Sequence, residues 1–341
     1  MRKNLLITIL IIMLVISGCN DGYVEQGDMG QSEKNHEEML DEFNEEDDII
    51  TESSGMLGFG FTEESPNIFD YNGENIEIPY YIENMGKEGE RNAKVGLVLF
   101  VNGESQPFSV MEKGKTIMKE SIMQKFNLSV GERKEITLSF SPVSGQKGED
   151  IGVIPATIWN PDYIPQNNEN PNFGNCLQLS ANIPLTIRMR HDSKNSHKLI
   201  DASAQLMDIP EEILAKYEGV EANGVYDILD NSMGFDIVPS EKDKRLLKAK
   251  EGKIELILNI YGGAQVTNKI TLFLNNNPIV INGGNYVQVD MKKGKMWQIK
   301  LTLDAKDCKE KNTIYAVAMT SGNDYEVQDI KQAEALLLLN N

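Results

Sequence analysis

The amino-acid sequence predicts an all-β protein with two tandem antiparallel β-sandwiches, joined by a connector that contains a short helix. Three observations carry this prediction: apolar residues alternate with polar ones, turn residues separate these stretches, and the stretches recur in the second half. Alternation with a period of two is typical of half-buried strands, and many short strands favour sandwiches. The alternating positions are Ile76, Ile78, Tyr80 and Ile82; Ile136, Leu138 and Phe140; Ile254, Leu256 and Leu258; and Ile299, Leu301 and Leu303.

An internal repeat organises the predicted folded part of the chain. Five segments recur in the same order, and the offset between the copies shrinks from 176 residues at the first segment to 161 at the last. This conserved order is expected of one duplicated unit that has lost loop residues in its second copy. The paired segments are 58–59 with 234–235, 75–78 with 253–256, 99–102 with 272–275, 131–138 with 294–301, and 155–159 with 316–320.

Turn-forming residues separate the predicted strands in both copies. Asparagine and glycine accept the left-handed backbone that tight turns need, and they cluster at 84–86, 102–103, 144–145, 262–263, 275–277, 283–284 and 321–323. The turn at Asn84-Met85-Gly86, the strand tip at Asn102-Gly103 and the turn at Val130-Gly131 resemble immunoglobulin-like modules of bacterial surface proteins, of the CARDB or fibronectin-type-III-like kind. The resemblance implies two immunoglobulin-like sandwiches with a binding or spacer role, and it supplies no catalytic residues.

The N-terminus has the features of a secretory signal. Arg2 and Lys3 precede an apolar run that ends at Ile16, which is shorter than the roughly 20 residues needed to span a bilayer. The sequence Ile16-Ser17-Gly18-Cys19 resembles the bacterial lipobox, in which the cysteine thiol is lipidated and the chain is cut just before it. The resemblance implies a palmitoylated lipoprotein, held through Cys19 at the extracytoplasmic face of the cell membrane. An ordinary secreted protein and an uncleaved anchor are the alternatives.

These observations divide the chain into five parts. Residues 1–18 are the predicted signal peptide, 19–52 a disordered acidic tether, 53–190 the first sandwich, 191–232 the connector, and 233–341 the second sandwich. The tether prediction rests on thirteen acidic residues within 20–52, against a single base. Dense like charge with few aromatic residues leaves too little apolar surface to bury.

The connector prediction rests on apolar residues at helical spacing. Pro210 followed by two glutamates is a typical helix start, and the apolar positions are Leu199, Ala202, Leu206, Ile209, Ile213, Leu214 and Tyr217. Such a stripe usually packs on a neighbouring core, so we expect a short helix against one sandwich. A helix that binds a partner protein is the alternative.

The chain is acidic, with a formal net charge of −19. Loss of residues 1–18 would remove two basic residues and no acidic one, leaving 31 basic against 52 acidic residues. A surface of this sign repels nucleic acid, so we expect no nucleic-acid partner. The expected partners are the membrane, through the lipid on Cys19, and a protein or a glycan. The Lys-, Asn- and Ile-rich composition with few cysteines is typical of Gram-positive surface proteins.

No motif indicates an enzyme. The sequence contains no Gly-x-Ser-x-Gly elbow, no phosphate-binding glycine loop and no His-Glu-x-x-His. Its three histidines are His36, in the predicted tether, and His191 and His197, in a polar stretch where no further residue has the spacing of a zinc ligand. We therefore expect no catalytic residue, no cofactor and no metal.

The long loop 160–176 is the candidate binding site. It follows a predicted strand, and the second copy has only 321–326 in the same place. Prolines, amides and aromatic residues together are typical of binding loops on sandwiches. The candidate binding residues are Asp162, Tyr163, Glu169 and Phe173. The alternatives are a tolerated insertion and a calcium site formed by Asp162, Glu169 and amide oxygens.

Two cysteines, Cys176 and Cys308, remain once Cys19 is lipidated. If the sandwiches lie end to end and the long loop joins strands F and G, these cysteines lie at distant ends. A disulfide requires Cα atoms within about 7 Å. We therefore expect that they do not pair with each other.

Three functional hypotheses remain open at this stage. The first is a non-enzymatic, membrane-anchored lipoprotein that binds a ligand or protein through loop 160–176. The second is a structural accessory subunit that docks laterally on another envelope protein through sheet edges or the connector. The third is a carbohydrate-binding module that uses exposed Tyr163 and Phe173.

Overall fold

The computed structural model describes residues 56–62, 66–87, 91–194, 197–217, 229, 233–240, 244–263, 265–306, 308–322 and 330–340. The predicted signal peptide and tether lie outside these residues. The described residues form twenty-three strands and two very short helical segments, and they belong to one compact unit, Ile50–Asn341. The prediction of an all-β fold with tandem antiparallel sandwiches is confirmed.

The first sandwich contains twelve strands. They are β1 (Leu57–Phe61), β2 (Ile68–Tyr71), β3 (Ile76–Asn84), β4 (Ala93–Val101), β5 (Glu104–Gln106), β6 (Phe108–Glu112), β7 (Lys115–Ser121), β8 (Met123–Leu128), β9 (Arg133–Phe140), β10 (Asp150–Trp159), β11 (Leu179–Ala181) and β12 (Leu185–Met189). One sheet has the order β1-β3-β9-β6-β7. The other has the order β2-β12-β10-β4-β5, with β11 paired to β10 and β8 paired to β4.

The second sandwich contains eleven strands. They are β13 (Ser203–Asp208), β14 (Met233–Ile237), β15 (Leu246–Lys248), β16 (Lys253–Gly262), β17 (Thr267–Leu274), β18 (Asn277–Pro278), β19 (Val287–Asp290), β20 (Lys295–Asp304), β21 (Lys311–Thr320), β22 (Ile330–Gln332) and β23 (Leu336–Leu339). One sheet has the order β13-β20-β16-β14. The other has the order β15-β23-β21-β17-β18, with β19 paired to β17 and β22 paired to β21.

The strand registers agree with the sequence repeat. In the first sandwich Leu99 of β4 lies opposite Pro155 of β10, and in the second Leu272 of β17 lies opposite Ala316 of β21. The sequence repeat aligns Leu99 with Leu272 and Pro155 with Ala316, so the same positions are paired in both sandwiches. The pairs β3–β9 and β16–β20 correspond in the same way. The two sandwiches are therefore copies of one unit down to the pairing of individual residues.

The copies differ at one sheet edge. The first sandwich places the hairpin β6–β7 beside β9, whereas the second places the single strand β13 beside β20. Residues 203–208 of the predicted connector are therefore an edge strand of the second sandwich.

The helical interpretation of the connector is correct only for its second half. Helix α1 (Glu211–Leu214) begins after Pro210 as predicted, and a 3-10 turn follows at Ala215–Tyr217. The helical assignment of the earlier residues is wrong, because Ser203–Asp208 pairs with β20 as a strand. Hydrogen bonding to an open sheet edge outweighs the local periodicity there. No helix in the described residues is long and apolar enough to cross a membrane.

Several strands are buried on both of their faces. In β23, Leu336 and Leu338 belong to the core between the two sheets of the second sandwich. Leu337 and Leu339 point the other way and belong to a separate buried cluster. Strands β4, β10, β17 and β21 divide their apolar side chains in the same manner.

That separate cluster joins the two sandwiches. It combines residues of the first seven-stranded sheet with residues of the second, so the two sheets pack on each other through their outer faces. The end-to-end arrangement on which the cysteine prediction rested is therefore wrong. Its members include Val98, Phe100, Ile154, Ala156 and Ile158 from the first sandwich, and Phe273, Tyr315, Val317, Met319 and Leu337 from the second.

Candidate functional site at the interface between the sandwiches

Three aromatic rings form the centre of the interface. The Phe100 ring meets the Phe273 ring edge to face, with centroids 6.4 Å apart, and Phe273 stacks on Tyr315 with centroids 5.0 Å apart. All three side chains are fully buried. The Tyr315 hydroxyl donates a hydrogen bond to Asn276 Oδ1 over 3.1 Å, which satisfies a polar group that would otherwise be costly to bury.

Loop 160–176 lies against this interface and connects β10 to β11. All three of its prolines and Phe173 are buried, whereas its tip, 166–170, is exposed. The Phe173 side chain belongs to the interface cluster and is 2% exposed. The apolar part of the loop is therefore turned inward, toward the second sandwich.

Polar contacts also join the loop region to the second sandwich. Asn276 Nδ2 donates to the Pro161 carbonyl over 2.7 Å, and Lys311 Nζ donates to the Gln166 carbonyl over 3.2 Å. The Gln332 side chain donates to the carbonyl of Leu177 over 2.7 Å and accepts from the amide of Leu179 over 2.8 Å. A side-chain amide thus takes the place of a backbone partner across the interface. The loop braces the two sandwiches.

The four predicted binding residues have different environments. Asp162 is a candidate calcium ligand, and its Oδ1 lies 2.5 Å from Lys125 Nζ, so this carboxylate forms a salt bridge with an ammonium group. Tyr163 is half-buried, contacts the Phe173 ring and donates from its hydroxyl to the Asn172 carbonyl. Glu169 is exposed at the tip. The expectation that Phe173 is exposed is wrong, because its ring fills the interface.

A buried charged cluster lies elsewhere in the same interface. Glu104, from β5 of the first sandwich, is 2% exposed, and its Oε1 accepts a hydrogen bond from Lys269 Nζ of β17 over 2.6 Å. Its Oε2 lies 3.0 Å from Nδ1 of His197, in ion-pair range although not aligned as a hydrogen bond. Lys269 Nζ also lies 4.9 Å from the ring centroid of Tyr286. The cluster thus links both sandwiches and the connector.

The electrostatics of the cluster favour an ionised carboxylate. Burial alone raises the pKa of the Glu104 carboxyl, but the contact with His197 and the charge of Lys269 outweigh burial and hold the pKa below its usual value. Burial and the nearby Glu104 charge both raise the pKa of the Tyr286 hydroxyl, which stays protonated. Glu104 and Lys269 therefore neutralise each other inside the interface. No sequence pattern indicates a pair so distant along the chain.

The remaining predicted residues lie apart from this cluster. His191 lies beside Gly73 and does not take part in it. Cys176 is buried and its Sγ accepts from Asn160 Nδ2, whereas Cys308 packs against the core of the second sandwich. The two thiols do not form a disulfide. Cys19, its lipobox residues Ile16, Ser17 and Gly18, and His36 lie outside the described residues.

No protein-family profile and no curated protein sequence matches this chain. Among solved structures, the CsuC–CsuE chaperone–tip adhesion subunit complex of Acinetobacter baumannii is similar at 13% identity with a TM-score of 0.21, covering 84% of this chain and 99% of that one. The collagen adhesin CNA of S. aureus is similar at 10% identity with a TM-score of 0.20. The fibronectin(III)-like modules of CbhA from Clostridium thermocellum are similar at 7% identity with a TM-score of 0.18. Each of these two alignments covers 84% of this chain and 94% of the other chain. Scores this low carry no conclusion about function.

Proposed function

We propose that this chain is a non-enzymatic lipoprotein, anchored through Cys19 at the extracytoplasmic face of the cell membrane, and that it docks as one rigid body on another envelope protein. The observation that carries the proposal is the apolar interface in which Phe100, Phe273 and Tyr315 are fully buried. Domains joined by a small polar interface move relative to one another, whereas a hydrophobic interface fixes them. A preorganised body loses little conformational entropy when it binds.

The inward-facing loop favours docking over the other two hypotheses. Loop 160–176 uses Phe173 and its prolines to brace the sandwiches, so little apolar surface remains on it for a ligand. A glycan-binding platform needs exposed aromatic faces, and the Phe173 ring is 2% exposed. Among the described residues, the sheet edge at β13 has no strand on its outer side and is available for lateral contact with a protein.

The charged cluster supports a structural role over catalysis. Glu104 and Lys269 are both buried, and Lys269 Nζ lies 2.6 Å from Glu104 Oε1, so each side chain neutralises the charge of the other. A catalytic acid or base must reach a substrate proton, and a general base needs a pKa near the working pH. The lowered pKa of Glu104 and its enclosed position suit an interdomain ion pair instead.

The anchor is tested by metabolic labelling with an alkyne-bearing palmitate analogue. We expect the wild-type chain to carry the label and to sediment with membranes, whereas a Cys19→Ala variant should lose the label. A wild-type chain without label would show that the chain carries no lipid anchor, and a variant that is labelled equally would show that the lipid is attached at another residue. Cys176 and Cys308 stay in place in both proteins and serve as internal controls.

The docking role is tested by cross-linking on intact cells. We expect one recurring cross-linked partner, and we expect a Phe273→Ala variant, which weakens the interface, to capture much less of that same partner at equal abundance. Ile183, which is 81% exposed, offers the matched control Ile183→Ala. Equal capture by all three proteins would mean that docking does not depend on the rigid pair.

A further inference from the structure

Strand β13 is one of the two edge strands of its sheet among the described residues, and β14 is the other. It pairs with β20 over six residues, from Ser203 opposite Lys300 to Asp208 opposite Lys295, without a register shift. No described strand lies on its other side. A strand in this position presents backbone N–H and C=O groups that can pair with a further strand.

The edge strand at the corresponding end of the first sandwich, β7, is protected against such pairing. It carries Lys115 and Lys119, and its pairing with β6 is interrupted by two register shifts. Charged lysines and bulges are the means by which proteins prevent edge-to-edge association. The corresponding edges of the two sandwiches therefore differ in their protection against strand pairing.

Strand β13 has none of these protective features. From Ser203 to Met207 it contains no charge and no proline, and its one acidic residue, Asp208, pairs with Lys295. Ala204 is exposed, and Leu206 and Met207 are only half-buried. In the first sandwich a fifth strand covers this side of the sheet, whereas the second sheet has four strands among the described residues.

We propose that β13 is the docking edge, and that its occupant is an extended segment of the partner protein that adds a strand to this sheet. The inference rests on the proposed docking function. The added strand would gain backbone hydrogen bonds along β13 and would cover Ala204 and Leu206 with apolar side chains at alternate positions.

The charge of the chain favours one chemistry for that segment. The mature chain has 31 basic and 52 acidic residues, so two copies repel each other, which disfavours self-pairing of the β13 edges. An uncharged β-branched segment flanked by basic residues meets no such repulsion. The partner segment is therefore an alternating, neutral-to-basic strand.

The test uses the mature chain with Cys19→Ser, which can be purified without lipid, and a synthetic peptide in which threonine and valine alternate between terminal lysines. We expect the peptide to slow hydrogen exchange of amides in 203–208. An Ala204→Lys substitution places a charge on the edge and should weaken peptide binding about tenfold, which is about 1.4 kcal/mol. The matched control Thr116→Lys, on β7, should leave binding unchanged.

Unchanged exchange in 203–208 at saturating peptide would overturn the proposal, and so would equal weakening by both lysine substitutions. Concentration-dependent dimers abolished by Ala204→Lys would assign the edge to a second copy and also overturn it. In intact cells, an Ala204→Lys chain that still captures the wild-type partner would refute the β13 site alone. Absence of any partner for the wild-type chain would refute the docking function itself.

Discussion

Phe100 and Phe273 hold equivalent positions in the two copies of the repeat, and their rings meet each other with centroids 6.4 Å apart. Contact between a residue and its own equivalent is the mark of a two-fold, isologous interface. The polar contacts across the interface do not follow this symmetry: Gly322 N donates to Asn102 Oδ1, whereas Asn276 Nδ2 donates to the carbonyl of Pro161, and the repeat aligns Asn102 with Asn275. The copies therefore pack like subunits of a symmetric dimer at the two rings, and the polar contacts around the rings are specific to each copy.

The first prediction concerns these two rings. We expect Phe100→Ala and Phe273→Ala each to lower the free energy of unfolding by about 3–5 kcal/mol, because each leaves a cavity in a dry interface. The double variant should be less damaging than the sum by about 0.5–1.5 kcal/mol, the size of an aromatic pair interaction. Urea unfolding of all four proteins measures the cycle, and full additivity would show that the rings do not interact.

Much of the fold is readable from the sequence. Period-two alternation predicts strands such as β3 and β20. The repeat aligns Leu99 with Leu272 and Pro155 with Ala316, and the strand registers pair these residues in the corresponding way. The face-to-face packing was missed although the sequence contained a signal. Continuous apolar runs such as Leu97–Val101 and Leu336–Leu339 are typical of strands that are buried on both faces.

The candidate site was harder to predict, because its partners are distant along the chain. Glu104 and Lys269 are 165 residues apart, and only the packing of the two sandwiches brings them together. Nothing local distinguishes Glu104 from the many exposed carboxylates of an acidic chain. Loop 160–176 shows a related difficulty, because proline and aromatic residues suit a binding loop and equally suit a loop that packs on a neighbouring domain.

The second prediction tests the buried ion pair. Lys269→Met should lower the free energy of unfolding by about 3–5 kcal/mol, because it removes the main cation beside a buried carboxylate. Adding Glu104→Met should restore most of the loss, because an apolar pair of similar volume needs no counter-charge. Chemical denaturation measures both, with Lys295→Met at the exposed Asp208 pair as a control expected within about 0.5 kcal/mol. A double variant as unstable as Lys269→Met would contradict the ion-pair interpretation.

The third prediction concerns pH. The pKa of Glu104 is lower in the folded chain than its usual value of 4.5, so the unfolded chain binds its proton more readily. The stabilisation from Glu104 is therefore fully present above that value and is lost as the pH falls through the lowered pKa of the folded chain. The difference in unfolding free energy between wild type and Glu104→Gln should be constant near neutral pH and should shrink in this acidic window. A difference in unfolding free energy that grows as the pH falls would contradict a lowered pKa of Glu104 in the folded chain.

The fourth prediction separates a bracing loop from a binding loop. Phe173→Ala should lower the free energy of unfolding by about 3–5 kcal/mol, because the side chain is a member of the interface core. Glu169→Ala, at the exposed tip, should change it by less than about 0.5 kcal/mol. Thermal or urea unfolding measures both. Unchanged stability in Phe173→Ala would return the loop to the list of candidate binding sites.

The last prediction uses two glycines that share a backbone conformation. Gly103 has φ +82° and Gly114 has φ +75°, so an alanine at either position carries the cost of a left-handed backbone, about 1–2 kcal/mol. At Gly114 an added Cβ meets no atom within 4 Å, whereas at Gly103 it lies 3.1 Å from Lys269 Cβ and 3.2 Å from the Met319 carbonyl oxygen, both across the interface.

Gly103→Ala should therefore be less stable than Gly114→Ala by about 1–3 kcal/mol, the usual cost of an extra methyl group in a packed interface. The added methyl group pushes against the backbone of the second sandwich beside the residue that follows Gly103, Glu104, so the ion pair to Lys269 should weaken as well. The pH-dependent part of the stability, measured as for Glu104→Gln, should then shrink in Gly103→Ala and stay at the wild-type size in Gly114→Ala. Equal stabilities and equal pH profiles in the two variants would mean that the sandwiches can separate at this point without cost.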